Sequence, residues 1–302
     1  MELNPVSHRI VADLLQARTG QYLGPARMWR INSALSDLFR QHRIENVEQL
    51  VCLLAAPGSD DLAREVVEAL LNNETYFFRD KQMFDQIGEA ILPELARRRE
   101  GERRLRIWSA GCSSGQELLS IAMLIQAQKA RFAGWRIELL GTDISTRIIA
   151  AASKARYTQF EVQRGLGVAQ MLSYFSDDEK GWQVTDDLRK MVRFEVRNLL
   201  DTPPAGGPFD LILCRNVLLY FDPANRGRAF ARLGEAMADD GYLMLGAGET
   251  VVGQTQVFDP APRLSGLYCK AGGVRNSRSD RMARTPALNV VADPARRRRS
   301  TG

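Results

Sequence analysis

The stretch that most constrains this chain is Leu105 to Glu117, LRIWSAGCSSGQE. An apolar run with Leu105, Ile107 and Trp108 passes into the small residues Ser109 to Gly115. Gln116-Glu117 follow, then a helical apolar pattern at Leu118, Leu119, Ile121, Ala122, Leu124 and Ile125. Buried strand, glycine turn and helix, in that order, bring main chain up to a nucleotide-like ligand in a parallel α/β sheet. Gly111 and Gly115 lack a Cβ, so a ligand can come close to the backbone there. The same arrangement also serves as an ordinary tight βα turn, and this stretch alone leaves both readings open.

Arg136 to Leu140 reads as the next strand and ends in Gly141-Thr142-Asp143. An acid at the end of a second strand, well beyond the glycine turn, is placed to accept hydrogen bonds from ribose hydroxyls. Asp143 equally suits the cap of the next helix, a role that Ser145 can fill instead. Turn and acid together favour an adenosine-containing ligand without separating NAD from S-adenosylmethionine.

The rest of the chain sorts around these strands. Residues 1–72 read as an all-α domain: Val6, Ile10, Leu14 and Leu15 keep helical spacing, and Gly20 and Gly24-Pro25 break it. Met28, Ile31, Leu35 and Leu38 resume it, with Arg30, Arg40 and Arg43 off that face, a charged side that is either solvated or meets an acidic partner. Two shorter helices are expected over 47–54 and 62–71. Residues 73–103 form a connector, dense in polar and aromatic residues at Asn72 to Asp80, and a linker helix from Lys81 to Arg99. Residues 104–270 form the sheet domain, with an inserted helix and short strands over about 155–195, Val192 to Val196 being one of them. Phe209 to Cys214 is a central parallel strand, Arg226 to Met237 a helix, Tyr242 to Leu245 a buried strand, and Leu264 to Lys270 the strand that closes the sheet. From 271 to 302 the chain is Arg-, Ser- and Pro-rich without periodicity and reads as disordered.

The basic balance is local. Of 41 basic and 36 acidic residues, eight arginines (275, 278, 281, 284 and 296–299) and two aspartates (280 and 293) lie beyond Ala271, leaving 33 against 34. A near-neutral folded part argues against nucleic-acid binding. No apolar run reaches membrane-spanning length, and MELNPVSHRI lacks the order of a signal peptide, so a cytoplasmic protein without membrane insertion is expected. Cys52, Cys112, Cys214 and Cys269 form no Cys-x-x-Cys, which fits a reduced compartment and no metal site. Cys112 and Cys214 are expected to be buried, inert thiols, and Met83, Met123, Met171 and Met244 to be packing.

Three stretches, NETYFFRD (73–80), WSAGCSSGQE (108–117) and LCRNVLLYFD (213–222), appear in order with TD at 142–143, RNLL at 197–200 and LGAGET at 245–250. In order and spacing they resemble the CheR family of chemotaxis receptor methyltransferases, from the N-terminal helices to about Lys270. The resemblance implies a class I S-adenosylmethionine-dependent methyltransferase: an α/β, Rossmann-like, mostly parallel sheet with an N-terminal all-α domain and a small inserted β-subdomain. It implies a monomer that methylates glutamate side chains on the cytoplasmic helices of chemoreceptors, forming γ-methyl esters and S-adenosylhomocysteine. Carried over by motif, Asn73, Thr75 and Arg79 lie over the cofactor and Gly111 belongs to its binding set, while Glu117 and Asp143 bind its methionine and ribose portions in an order left open. Asn198 and Leu199 contact the adenine side, and Arg215, Asn216 and Tyr220 surround the transferred methyl, with Arg79, Arg215 and Tyr220 as the catalytic set.

The chemistry agrees independently of the family. A glutamate with a pKa near 4.3 is ~99% ionised or more at neutral pH, so a carboxylate acceptor needs no general base. Both histidines, His8 and His42, lie in the N-terminal helices, which fits a carboxylate acceptor, with Asp, Glu or Tyr left as alternative bases. Arg79 and Arg215 can grip a carboxylate through paired hydrogen bonds, and Tyr220 can offer its hydroxyl or its ring face to a sulfonium. Tyr220 as core and Arg215 as a structural ion pair remain the alternatives. Two departures from the family pattern, Gln116-Glu117-Leu118-Leu119-Ser120 and Gly246-Ala247-Gly248-Glu249, keep the acids and read as variation. The short acidic stretch Phe175 to Trp182 stands where some members bind a receptor's C-terminal pentapeptide, so no such tether is expected here. Another acceptor on the same scaffold, or a non-catalytic cofactor-binding module, are the competing readings.

Overall fold

The computed structural model describes residues 5–262 and 264–272. The Arg-rich tail expected to be disordered lies, from residue 273 onward, outside the described residues. Among the described residues five α-helices come first: α1 (Pro5–Thr19), α2 (Arg30–Ala34), α3 (Ser36–His42), α4 (Val47–Leu54) and α5 (Asp60–Leu70). Their apolar faces close on one core that includes Val11, Leu15, Ile31, Leu35, Leu50 and Val66. Asn46 starts α4 by accepting the Gln49 N–H on its side chain.

The connector leads into α6 (Lys81–Gln86), a π-helical turn (Ile87–Ile91) and α7 (Leu92–Arg98), which run on as one rod. Arg99 anchors its end, donating to Asp210 at 2.6 Å and to Asp240 at 2.8 Å. Hydrogen bonds donated to Asp240, set against the cost of burial, push the guanidinium pKa up, so it stays charged.

The sheet domain begins with β1 (Arg104–Ala110), α8 (Gln116–Ala127), β2 (Arg136–Asp143) and α9 (Thr146–Lys154). The insertion holds β3 (Arg156–Tyr157), α10 (Gln159–Gln163), α11 (Val168–Tyr174), β4 (Phe175–Asp178), β5 (Gly181–Val184) and α12 (Asp186–Arg189). Then follow β6 (Val192–Val196), β7 (Phe209–Cys214), α13 (Pro223–Ala236), β8 (Met237–Leu245), β9 (Phe258–Pro260) and β10 (Leu267–Lys270). Seven strands form the main sheet in the order β6-β2-β1-β7-β8-β10-β9. The first five are parallel, and β10 and β9 are antiparallel additions. Every residue of β7 is buried, as expected of a strand covered on both faces.

Three boundaries differ from the sequence reading. Val192–Val196 belongs to the main sheet, paired with β2 from Leu139↔Val192 to Asp143↔Val196, and not to the insertion. As an edge strand it is half exposed, so its pattern resembled that of a small separate sheet. The closing strand is β9, because β10 lies between it and β8, and Leu264 to Gly266 precede the strand. The helix expected from Arg226 starts at Pro223, where Asp222 caps it by accepting the Asn225 N–H, and its last expected residue, Met237, already belongs to β8.

The insertion is a three-stranded sheet, β3-β5-β4, with the short helices α10, α11 and α12. Phe77 of the connector plugs it, its ring edge-on to Tyr157 at 5.1 Å and Phe175 at 5.6 Å. Among the described residues no helix is long and apolar enough to cross a membrane.

Candidate active site

β1 has β2 on one side and β7 on the other, so its neighbouring connections diverge and leave a crevice beyond its C-terminal end. The glycine turn lines that crevice. Gly111 (φ 80) and Gly115 (φ 93) are left-handed, and a Cβ on either would overlap Val217 or Phe194 respectively. Gly111 and Cys112 both donate their N–H to the Thr142 carbonyl, at 2.8 and 2.9 Å, tying the turn to the end of β2. Ser145, accepting the Ile148 N–H, is the cap of α9. Asp143 is thereby released from capping; its carboxylate accepts the N–H of Ser113 at 3.0 Å and of Ser145 at 3.1 Å. Burial raises its pKa, and these backbone bonds partly offset that.

Glu117 stands at the first turn of α8, held by Ser109 Oγ at 2.7 Å and by Arg215 Nη1 at 3.0 Å. Arg215 follows the last residue of β7 and is 99% buried in its side chain, with only 1% exposed. Its Nη2 reaches across to Asp80 at 2.6 Å and to the Arg79 carbonyl at 2.8 Å. It therefore braces the connector against the sheet, and only its Nε is left buried without a partner. The alternative of a structural ion pair describes what its two Nη groups do here.

The loop after Arg215 is held by one carboxylate. Glu249 accepts the N–H of Asn216 (2.7 Å), Val217 (3.0 Å), Leu219 (3.3 Å) and Gly246 (2.9 Å). Asn216 is left-handed (φ 59), a conformation this clamp maintains. Tyr220, at the end of the loop, accepts at its hydroxyl from Asn72 Nδ2 at 2.6 Å.

All eleven residues singled out from the sequence line one cleft: Asn73, Thr75, Arg79, Gly111, Glu117, Asp143, Asn198, Leu199, Arg215, Asn216 and Tyr220. Thr19, Gln21, Asn72 and Glu74 line it too and were missed. Thr19 and Gln21 carried no signal, since they come from the helical domain. They reach the cleft because Tyr22 N–H donates to the Tyr220 carbonyl at 2.7 Å and Asn225 Nδ2 to the Gly20 carbonyl at 3.0 Å. Asn72 and Glu74 could have been found, for they flank Asn73 in the connector.

Arg79 donates to the Glu74 carbonyl at 3.1 Å and, among the described residues, forms no ion pair. Cys112 and Cys214 are buried, and burial followed by nearby carboxylates pushes both thiols well up, so neither is a nucleophile at neutral pH. No cluster able to hold a metal ion occurs among the described residues.

The donor set fits S-adenosylmethionine. A left-handed glycine turn admits a ligand to the main chain, two carboxylates with spare lone pairs face the same cleft, and a buried Nε waits unpartnered beside them. Asp143 and Glu117 are the groups that can accept from ribose hydroxyls and an α-ammonium.

The sequence profile described as CheR methyltransferase, SAM binding domain, matches residues 73–265. A chemotaxis protein methyltransferase of Vibrio parahaemolyticus is 32% identical over 255 residues, covering 83% of this chain and 92% of that one. Chemotaxis protein methyltransferase 1 of Pseudomonas aeruginosa is 35% identical over 243 residues, covering 78% and 87%. Among solved structures, magnesium protoporphyrin IX methyltransferase from Synechocystis, with bound S-adenosylhomocysteine, is similar at a TM-score of 0.32 and 16% identity, covering 79% and 71%. The profile alone spans well over half of the chain, so the cofactor is S-adenosylmethionine and the protein belongs to the CheR methyltransferase family.

Proposed function

We propose that this enzyme methylates the γ-carboxylates of glutamates on the cytoplasmic helices of chemoreceptors. One juxtaposition supports the reading: the cleft with the glycine turn and two acids also carries Arg79 and Tyr220, and no histidine lines it. S-adenosylmethionine, when bound, supplies an electrophilic methyl on a positively charged sulfur. The acceptor carboxylate is already ionised, so the protein has to orient it and exclude water, a contribution on the order of 7–11 kcal/mol in well-aligned cases. Arg79, which among the described residues forms no ion pair, is the group that orients the acceptor. Tyr220 offers a hydroxyl positioned by Asn72. Arg215, with Nη1 on Glu117 and Nη2 on Asp80 and the Arg79 carbonyl, positions Arg79 and Glu117 in this reading and keeps its Nε–H for a ligand. Asp143 takes the ribose side, Glu117 and the connector residues Asn73 and Thr75 the methionine side, and Asn198 and Leu199 the adenine side.

The test uses the full chain, methyl-tritiated S-adenosylmethionine and membranes containing the host's chemoreceptors. Label on receptor bands that is released as volatile methanol in mild base is the expected result. Base-stable label, or transfer to another acceptor, overturns the glutamate assignment.

A further inference from the structure

Beside Arg79, a second guanidinium at the mouth of the cleft is occupied by an internal carboxylate. Arg164, in the turn between α10 and α11, donates from Nη2 to Glu74 Oε1 at 2.7 Å. Its guanidinium carbon lies 4.2 Å from the centre of the Tyr76 ring, over which Arg79 also lies at 5.7 Å. Two cations thus share one aromatic platform, and the carboxylate that Arg164 holds belongs to a glutamate lining the cleft. The hydrogen bond from Arg164, only partly offset by desolvation and reinforced by the charges of Arg164 and Arg79, holds the Glu74 carboxyl below its ordinary pKa.

The pair itself is exchangeable. Arg164 and Glu74 are 41% and 53% exposed, and ion pairs of this kind contribute little net stability. The backbone that carries Arg164 is not exchangeable. Gly165 (φ 105) packs so closely on the connector that a Cβ there would overlap the Phe77 carbonyl, and Phe77 is locked between Tyr157 and Phe175. Packing therefore places Arg164 at the mouth whether or not Glu74 holds it.

We propose that Arg164 recognises a carboxylate of an acidic acceptor segment, and that Glu74 is its stand-in, holding the guanidinium until the acceptor replaces it. This rests on the reading of the protein as a glutamate methyltransferase. A pair serving only to fasten the insertion to the connector would respond alike to loss of either partner. A stand-in responds oppositely.

The experiment measures binding of a synthetic glutamate-rich helical peptide, and of its glutamine counterpart, to the full chain saturated with S-adenosylhomocysteine. Glu74→Gln is expected to tighten the acidic peptide ~3–10-fold and Arg164→Ala to weaken it by a similar factor, the range open to half-exposed charges. The double variant should match Arg164→Ala, and the glutamine peptide should respond to neither change. With saturating S-adenosylmethionine the same split should show mainly in the acceptor KM. Equal losses in both single variants, no change in either, or no binding of the acidic peptide to wild type and Glu74→Gln alike, overturn the proposal. If the signs are opposite but wild type forms no base-labile ester, the glutamate-methylation reading fails and carboxylate recognition stands; if esters form and the signs coincide, this proposal alone fails.

Discussion

Arg79 and Arg215 carry the same charge and lie in the same cleft, yet their surroundings give them different work. Removing Arg215 strands Glu117 and Asp80 beside an emptied buried site, and breaking such a pair costs about 3–5 kcal/mol. Arg215→Ala should therefore lower the urea midpoint sharply along with activity. Arg79→Ala should leave the midpoint almost unchanged and lower methyl transfer ~100-fold or more, as expected when a charge-orienting donor is lost. Asp143 adds a pH dependence. Burial raises its pKa, so it protonates at a higher pH than an ordinary aspartate as acid is added, and, on the proposed ribose role, its capacity to accept falls with it. Cofactor affinity followed by calorimetry should weaken on acidification, and Asp143→Asn should remove the slope.

At the scale of elements, two glutamates act as clamps. Glu68 of α5 accepts from Ser145 Oγ at 2.6 Å and from the Thr146 N–H at 2.8 Å, so the helical domain caps the start of α9. Desolvation works against these bonds, yet together with the Arg147 N–H they hold its pKa below the usual value. The contribution is then present above the ordinary carboxylate pKa and is lost as pH falls through the lowered one. Glu68→Ala should cost about 1–2 kcal/mol at neutral pH and nothing in strong acid, measured by denaturant unfolding at both. Glu249→Ala frees four N–H groups of the loop from Asn216 to Leu219 and of Gly246. Unmet donors of that kind cost about 1–3 kcal/mol each when buried, so the loop should rearrange and transfer should fall more than tenfold while global unfolding shifts little. Neither clamp was legible in the sequence: Glu68 sits in a regular amphipathic helix, and its partner lies 77 residues away. The strand Val192–Val196 was misplaced for a related reason, since alternation tells a half-buried strand from a helix but not which sheet it joins.

Over the whole molecule, the helical domain contributes Thr19 and Gln21 to the lining of the cleft. Gly20 (φ 77) lets α1 end against Leu200, and any Cβ there would overlap that side chain. Gly20→Ala should therefore displace Thr19 and Gln21 and raise the dissociation constant for S-adenosylmethionine, with little change in transfer once the cofactor is saturating; cofactor titration and saturated turnover separate the two. What the sequence determined alone was local and periodic: the glycine turn, the buried run of β7, the helical stripe of the first 72 residues and the motifs that carry the family resemblance. Backbone conformation and hydrophobic period act over a few residues, so a linear reading can recover them. Tertiary structure decided which charges remain free. Arg79 and Arg215 differ only in what the fold brings beside them, because an ion pair depends on distance in space, and the residues that neutralise Arg215 lie 135 and 98 positions away in the chain.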